Sequence, residues 1–238
     1  MQYGILIITA FGAALISGAA GFGGSLLLLP VITACIGAEA AVPVLTISQL
    51  IGNIARMVSG WKQIDWRSVG LFSLTSLPLA ALGALGFSVL PKDIVTRIIG
   101  LALILFVIIK LARKRELPKG NSTLLIGGAV TGGVSGLAGS GGPIGAAVFL
   151  SLDLPPVAYI ASEAATATAM HILKTIVYSK MSSLEWMSVA IGLLMGISMI
   201  GGTFVANRFI KKKDKKKFQK YVACLLCVVG AYMLIVGV

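Results

Sequence analysis

Gly18-Ala-Ala-Gly21-Phe-Gly23-Gly24 returns later in the chain as Gly136-Leu-Ala-Gly139-Ser-Gly141-Gly142, every glycine displaced by 118 positions (18 to 136, 21 to 139, 23 to 141, 24 to 142). Each copy lies between two apolar runs of helical character. A glycine weakens a helix by roughly 0.5–1 kcal/mol relative to alanine, so four within seven residues predict a helix break in each copy. In hydrocarbon a broken helix survives only where protein or a watery cavity covers its freed backbone groups. A matched pair of breaks in the two halves of a membrane chain points to a transport site.

The composition fits that setting. Of 238 residues, 57% are hydrophobic and 12% charged, which excludes an ordinary soluble domain and a disordered chain. Apolar segments long enough to span a bilayer recur along the whole length. The first apolar run lacks a basic leader and is followed by more spans, so it does not read as a signal peptide. The net charge of +12 is concentrated in Lys110 to Lys119 and Arg208 to Lys220. That is the positive-inside bias of a membrane protein, with attraction to anionic headgroups, and not a nucleic-acid footprint. Cys35, Cys224 and Cys227 lie in apolar runs and read as packing residues. No metal and no cofactor are expected.

The segments repeat in order. A broken stretch from Tyr3 to Ile36 is followed by spans at Ala41 to Gly60, Val69 to Leu90 (Pro78 a candidate kink) and Ile94 to Leu111. A second broken stretch, Leu124 to Leu152 with its break at Gly136 to Pro143, is followed by spans at Pro156 to Tyr178, Met187 to Phe209 and Tyr221 to Val236. Asp65-Trp66 echoes as Glu185-Trp186, at an offset of 120. The expected fold is therefore an all-α polytopic membrane protein of two repeats, 1–118 and 119–238. Each repeat is a glycine-broken re-entrant or discontinuous helix plus three spanning helices. If each broken stretch crossed once, the two basic loops would fall on opposite sides. If each re-enters, both loops are cytoplasmic, each half crosses an odd number of times, and the halves are inverted with both termini outside.

Candidate binding residues follow from position. Gln49, Asn53 and Arg56 are spaced i, i+4, i+7 and share one helical face, which in lipid turns inward. At the glycine offset Asn53 matches His171 and Arg56 matches Lys174. The pattern suits an anion. Broken helices can aim N–H dipoles at negative charge, and Gly21, Gly23, Gly24, Gly139, Gly141 and Gly142 let backbone approach closely. Ser25 and Ser140 offer hydroxyls, and an Arg fork grips two oxygens. Other readings stand beside this one. Arg56 and Lys174 can snorkel, His171 can be a packing residue or a proton carrier, and small residues such as Gly83, Gly201 and Gly202 serve helix contacts. Glu163 reads as an interfacial carboxylate, with pairing to Lys174 or a part in proton coupling as alternatives. No hydrolytic or redox pair, haem motif or nucleotide-binding unit is present in the sequence, so an enzyme is not expected.

With Gly21-Phe-Gly23-Gly24 and Gly139-Ser-Gly141-Gly142-Pro143 in a duplicated small membrane protein, the chain resembles the TauE/SafE family of sulfite and organosulfonate exporters over essentially its whole length. The resemblance implies a multi-pass permease of the prokaryotic inner membrane for sulfur oxyanions. The reading is a secondary transporter that exports such an anion by alternating access. The alternatives are an anion channel, which would lack counterflow, and a non-transporting scaffold docked through its basic loops. The expected partners are the anion and membrane lipids, not nucleic acid; a homodimer is compatible. Cysteine-accessibility mapping is expected to place both termini outside the cell; a cytoplasmic C-terminus would overturn the inverted arrangement.

Overall fold

The structure, a computed structural model, describes residues 2–20, 24–91, 94, 97, 101, 118–181 and 184–209. Gly21, Gly23, most of the fourth span, the last span, the basic residues at 110–117 and 210–220, and Cys224 and Cys227 lie outside the described residues. Within them every regular element is helical: α1 (Gln2–Ala20), α2 (Gly24–Ser59), a 3-10 turn (Trp61–Gln63), α3 (Trp66–Val89), α4 (Asn121–Ala138), α5 (Gly142–Leu150), α6 (Pro156–Lys180) and α7 (Trp186–Phe209). Gly37, at φ 82 and ψ 161, divides α2 into two limbs. Helix starts recur near the sequence offset, Gly24 with Gly142 and Trp66 with Trp186.

Local chemistry sets these limits. Asp65 caps α3: it accepts from the Ser68 amide at 3.4 Å and from the Ser68 hydroxyl at 2.6 Å. Pro156 opens α6, where a missing N–H costs nothing. α4 stops at Gly139, whose φ of 73 is the left-handed cap that glycine adopts without strain. The second break is thus shorter than the sequence implies. Gly136 belongs to α4, and only Gly139 to Gly141 interrupt the helices. α3 runs unbroken through Pro78.

Close approaches fix how the helices lie. Gly128, Gly132 and Gly136 form a stripe on α4, and a Cβ on any of them would strike a carbonyl oxygen of α3, at Phe72, Ser76 and Ala80 respectively. Small residues at four-residue spacing let two backbones touch in this way. Position numbers rise together on both helices, so α4 runs parallel to α3. α1 and α7 are joined likewise: Gly202 faces the Phe11 carbonyl, and the Ser198 hydroxyl donates to the Ile7 carbonyl at 2.9 Å. The second limb of α2 also runs parallel to α7, with Gly192 against Ile47 and Gly196 against Ile51. α6 follows α3, from Asp65 N donating to Ser162 Oγ at 2.9 Å to the Phe87 and Tyr178 rings, 5.4 Å apart. Against α2 it runs antiparallel, with Gly60 beside Val157 and Ala161. α5 folds back along α4, with Gly127 against Val148 and Gly145 against Thr131.

The outside of this bundle is apolar. Ile8, Leu74, Leu82, Ile126, Ile197 and Phe204 are exposed, while Gln49, Asn53, Arg56, Glu163, His171 and Lys174 are buried. Among the described residues, three helices are long and apolar enough to cross a membrane: Glu39–Ser59, Trp66–Val89 and Trp186–Ala206. α6 has 25 residues but turns a polar face inward. Trp61 and Trp66 meet edge-on, with ring centroids 5.2 Å apart, at an exposed end that also carries Lys62 and Arg67. The loop expected from the sequence between α2 and α3 is therefore present, with both tryptophans exposed.

The glycine stripe is directly testable. Gly132→Ala should destabilise the folded protein by about 1–3 kcal/mol, because backbone cannot yield as a side chain can. Gly133→Ala, where a Cβ meets nothing within 4 Å, should leave the melting temperature in detergent unchanged or raised. Equal effects at the two positions would contradict the packing.

Candidate functional site

The start of α2 meets the second helix break. Ser25, in the first turn of α2, lies 2.8 Å from Ser140, in the second break, hydroxyl to hydroxyl. Beside this contact is a cavity of about 20 Å³. The start of α2 contributes Gly24 and Ser25, and its second limb Gln49, Asn53 and Arg56. Ser135, Gly139, Gly141 and Gly142 come from the α4–α5 hairpin, and Glu163, Ala167, Met170 and His171 from one face of α6. The amino ends of α2 and α5 therefore both open on the cavity, where first-turn N–H groups favour negative charge.

The i, i+4, i+7 triplet of α2 turns inward as its spacing implies. Gln49, Asn53 and Arg56 are 4%, 2% and 7% exposed. Arg56 donates from Nη2 to Asn53 Oδ1. Its Nη1 lies 3.8 Å from Glu163 Oε2, an ion pair longer than a hydrogen bond. Glu163 is thus not an interfacial carboxylate and does not pair with Lys174. It is 3% exposed and faces the guanidinium across the cavity. Antiparallel packing of α2 and α6 brings the two together, a relation that neither helix carries in its own sequence.

Lys174 stands one layer back. It is fully buried and donates to the Ser135 carbonyl at 3.1 Å and to Ser135 Oγ at 3.0 Å. One turn on, Tyr178 Oη donates to the Gly136 carbonyl at 3.1 Å. Both carbonyls belong to the last turn of α4, whose acceptors have no partner within the helix. A cation there also opposes the negative end of the helix dipole. Arg56 and Lys174 occupy matched positions, yet Arg56 lines the cavity and Lys174 caps a broken helix.

Of the residues expected at an anion site, Gly24, Ser25, Gln49, Asn53, Arg56, Gly139, Gly141, Gly142 and His171 line one cavity. Ser140 touches it through Ser25, and Lys174 through Ser135. Ser135 itself escaped the sequence reading. Its signal was present, because Ser17 and Ser135 extend the glycine repeat by one residue at the same offset. Three buried polar atoms in the cavity wall have no hydrogen-bond partner: Gln49 Nε2, Glu163 Oε2 and His171 Nδ1. Gln49 offers a free donor beside the Arg56 cation, as an oxyanion requires.

The family model described as sulfite exporter TauE/SafE covers residues 6–233. No curated protein and no solved structure matches the chain.

The meeting of the two breaks predicts a measurable coupling. In a double-mutant cycle of Ser25→Ala and Ser140→Ala, the shared hydrogen bond should appear as an interaction energy of about 1 kcal/mol in thermal unfolding. Additive effects would show that the hydroxyls do not hold the breaks together.

Proposed function

Given that the chain belongs to the TauE/SafE family of sulfite exporters, we propose that it carries small sulfur oxyanions, sulfite or organosulfonates, outward across the inner membrane by alternating access. The observation that carries this reading is a buried guanidinium and a free donor at one cavity, Arg56 and Gln49 Nε2. Asn53, His171 and the Ser25 hydroxyl complete a wall that can surround an anion with donors. Two helix amino ends add N–H groups without adding a side chain to desolvate.

The cavity's size bears on the mechanism. About 20 Å³ admits roughly one water. A polyatomic sulfur oxyanion is larger, and alternating access would let the walls part to load it. Inverted halves provide the two arrangements. The second limb of α2 and its sequence counterpart α6 run in opposite directions, which supports inversion. The end that gathers Lys62, Arg67 and Lys119 is then the cytoplasmic one. Exit of a divalent anion such as sulfite down the membrane potential is favoured by ~2.3 kcal/mol per net charge moved per 100 mV, which gives export a driving force.

Sulfite efflux from proteoliposomes tests the reading. Wild-type flux should saturate and show counterflow. Arg56→Ala should lower it at least tenfold with the protein still folded, and Arg56→Lys should restore only part, since an ammonium lacks the fork. Undiminished flux in Arg56→Ala would remove Arg56 from the site.

A further inference from the structure

The seat beside Arg56 is already taken by a carboxylate of the protein itself. Glu163 Oε2 faces Arg56 Nη1 at 3.8 Å, and no hydrogen bond reaches that oxygen. Both side chains are buried, at 8% and 4% exposure. The pair is therefore held by charge without a directional lock, in a cavity too small for a second anion. From this arrangement, and resting on the anion-carrier reading above, we infer that Glu163 is a built-in competitor for Arg56. The transported anion and the Glu163 carboxylate alternate as counter-charge to the guanidinium, and each anion that binds brings one proton onto Glu163.

The argument is one of compensation. Removing one partner of a buried ion pair is strongly destabilising because the other charge is left uncompensated. An anion that displaces Glu163 keeps Arg56 neutralised but leaves the Glu163 carboxylate unpaired, and close to a like charge. A proton from water on the side where the cavity opens removes both costs. It also turns Oε2 from an acceptor into a donor, able to hydrogen-bond an oxygen of the anion. On release the proton returns to water and Glu163 re-pairs with Arg56. No bond within the anion is broken.

The surroundings leave Glu163 as the natural acceptor. From α2 only Arg56 faces it. Along α6 lie Tyr159, whose buried hydroxyl has no partner, then His171, and Lys174, which is engaged by Ser135. From α3 the sole titratable residue is Arg67, exposed at the start of the helix, and Asp65 just before it is held by Ser68. The 3-10 turn carries only Lys62, which is exposed, and α4 and α5 contain no titratable side chain.

The test uses the full-length protein in lipid nanodiscs, perfused with sulfite, methanesulfonate or sulfate. Infrared difference spectra are recorded with calorimetry alongside. Binding should raise a protonated-carboxyl band that is absent from Glu163→Gln; a proton on His171 would give no such band. Calorimetry of the wild type in two buffers of different ionisation enthalpy should count one proton taken up per anion, a readout that needs no variant. For methanesulfonate or sulfate, which do not titrate near neutrality, affinity should weaken about tenfold per pH unit where free Glu163 is ionised, and Glu163→Gln should abolish that slope. Binding without the carboxyl band, or without proton uptake, would overturn the inference and leave the carrier standing. Binding of none of the three anions would overturn the carrier reading and this inference with it.

Discussion

A helix that stops inside an apolar bundle leaves backbone donors and acceptors with no water to take them, and this chain does so twice. Its architecture follows from setting the start of α2 against the break between α4 and α5. The Ser25 and Ser140 hydroxyls join them at 2.8 Å. Lys174 and Tyr178, one turn apart on α6, take the carbonyls that the last turn of α4 leaves over. The hairpins can reach the centre only because glycines remove side chains from their path. At Gly128, Gly132 and Gly136 the α4 backbone lies directly on the carbonyls of α3.

The two glycine-marked stretches share one spacing, but the residues at matched positions do different chemistry. The matched positions 56 and 174 both hold cations, yet one faces the cavity and the other is used as a cap. Asn53 and His171 also match, and both reach the cavity, but Asn53 accepts from Arg56 while the Nδ1 of His171 is unpartnered. The site is thus asymmetric, with the guanidinium on one wall and the carboxylate on the other. A site of that kind can hold an anion against one side and respond through the other.

What could be read from the sequence was whatever repeats or has a period. Helix limits came from glycine clusters and polar loops, and the inward face of α2 from the spacing of Gln49, Asn53 and Arg56. What could not be read was contact between elements. Glu163 looked interfacial because it lies near the start of an apolar run. Its partner lies 107 positions earlier and becomes visible only when α2 and α6 are set side by side in opposite directions. Gly136 was taken for part of a break because glycine signals a break and a close approach with the same letter. The α3 backbone against it decides the matter. Ser135 was overlooked because serine is unremarkable in a helix until a buried ammonium points at it.

The parallel pairs have a consequence for how the chain is made. α4 docks on α3, which the ribosome has already delivered. α1 docks on α7, which begins at Trp186, after every other described helix has emerged. Through most of synthesis α1 therefore stays in the bilayer with the side that faces α7 still without its partner. Contacts so distant in sequence are slow to form, and a chain cut short before α7 would leave the first hairpin, and the Ser25 end of the site, without its support.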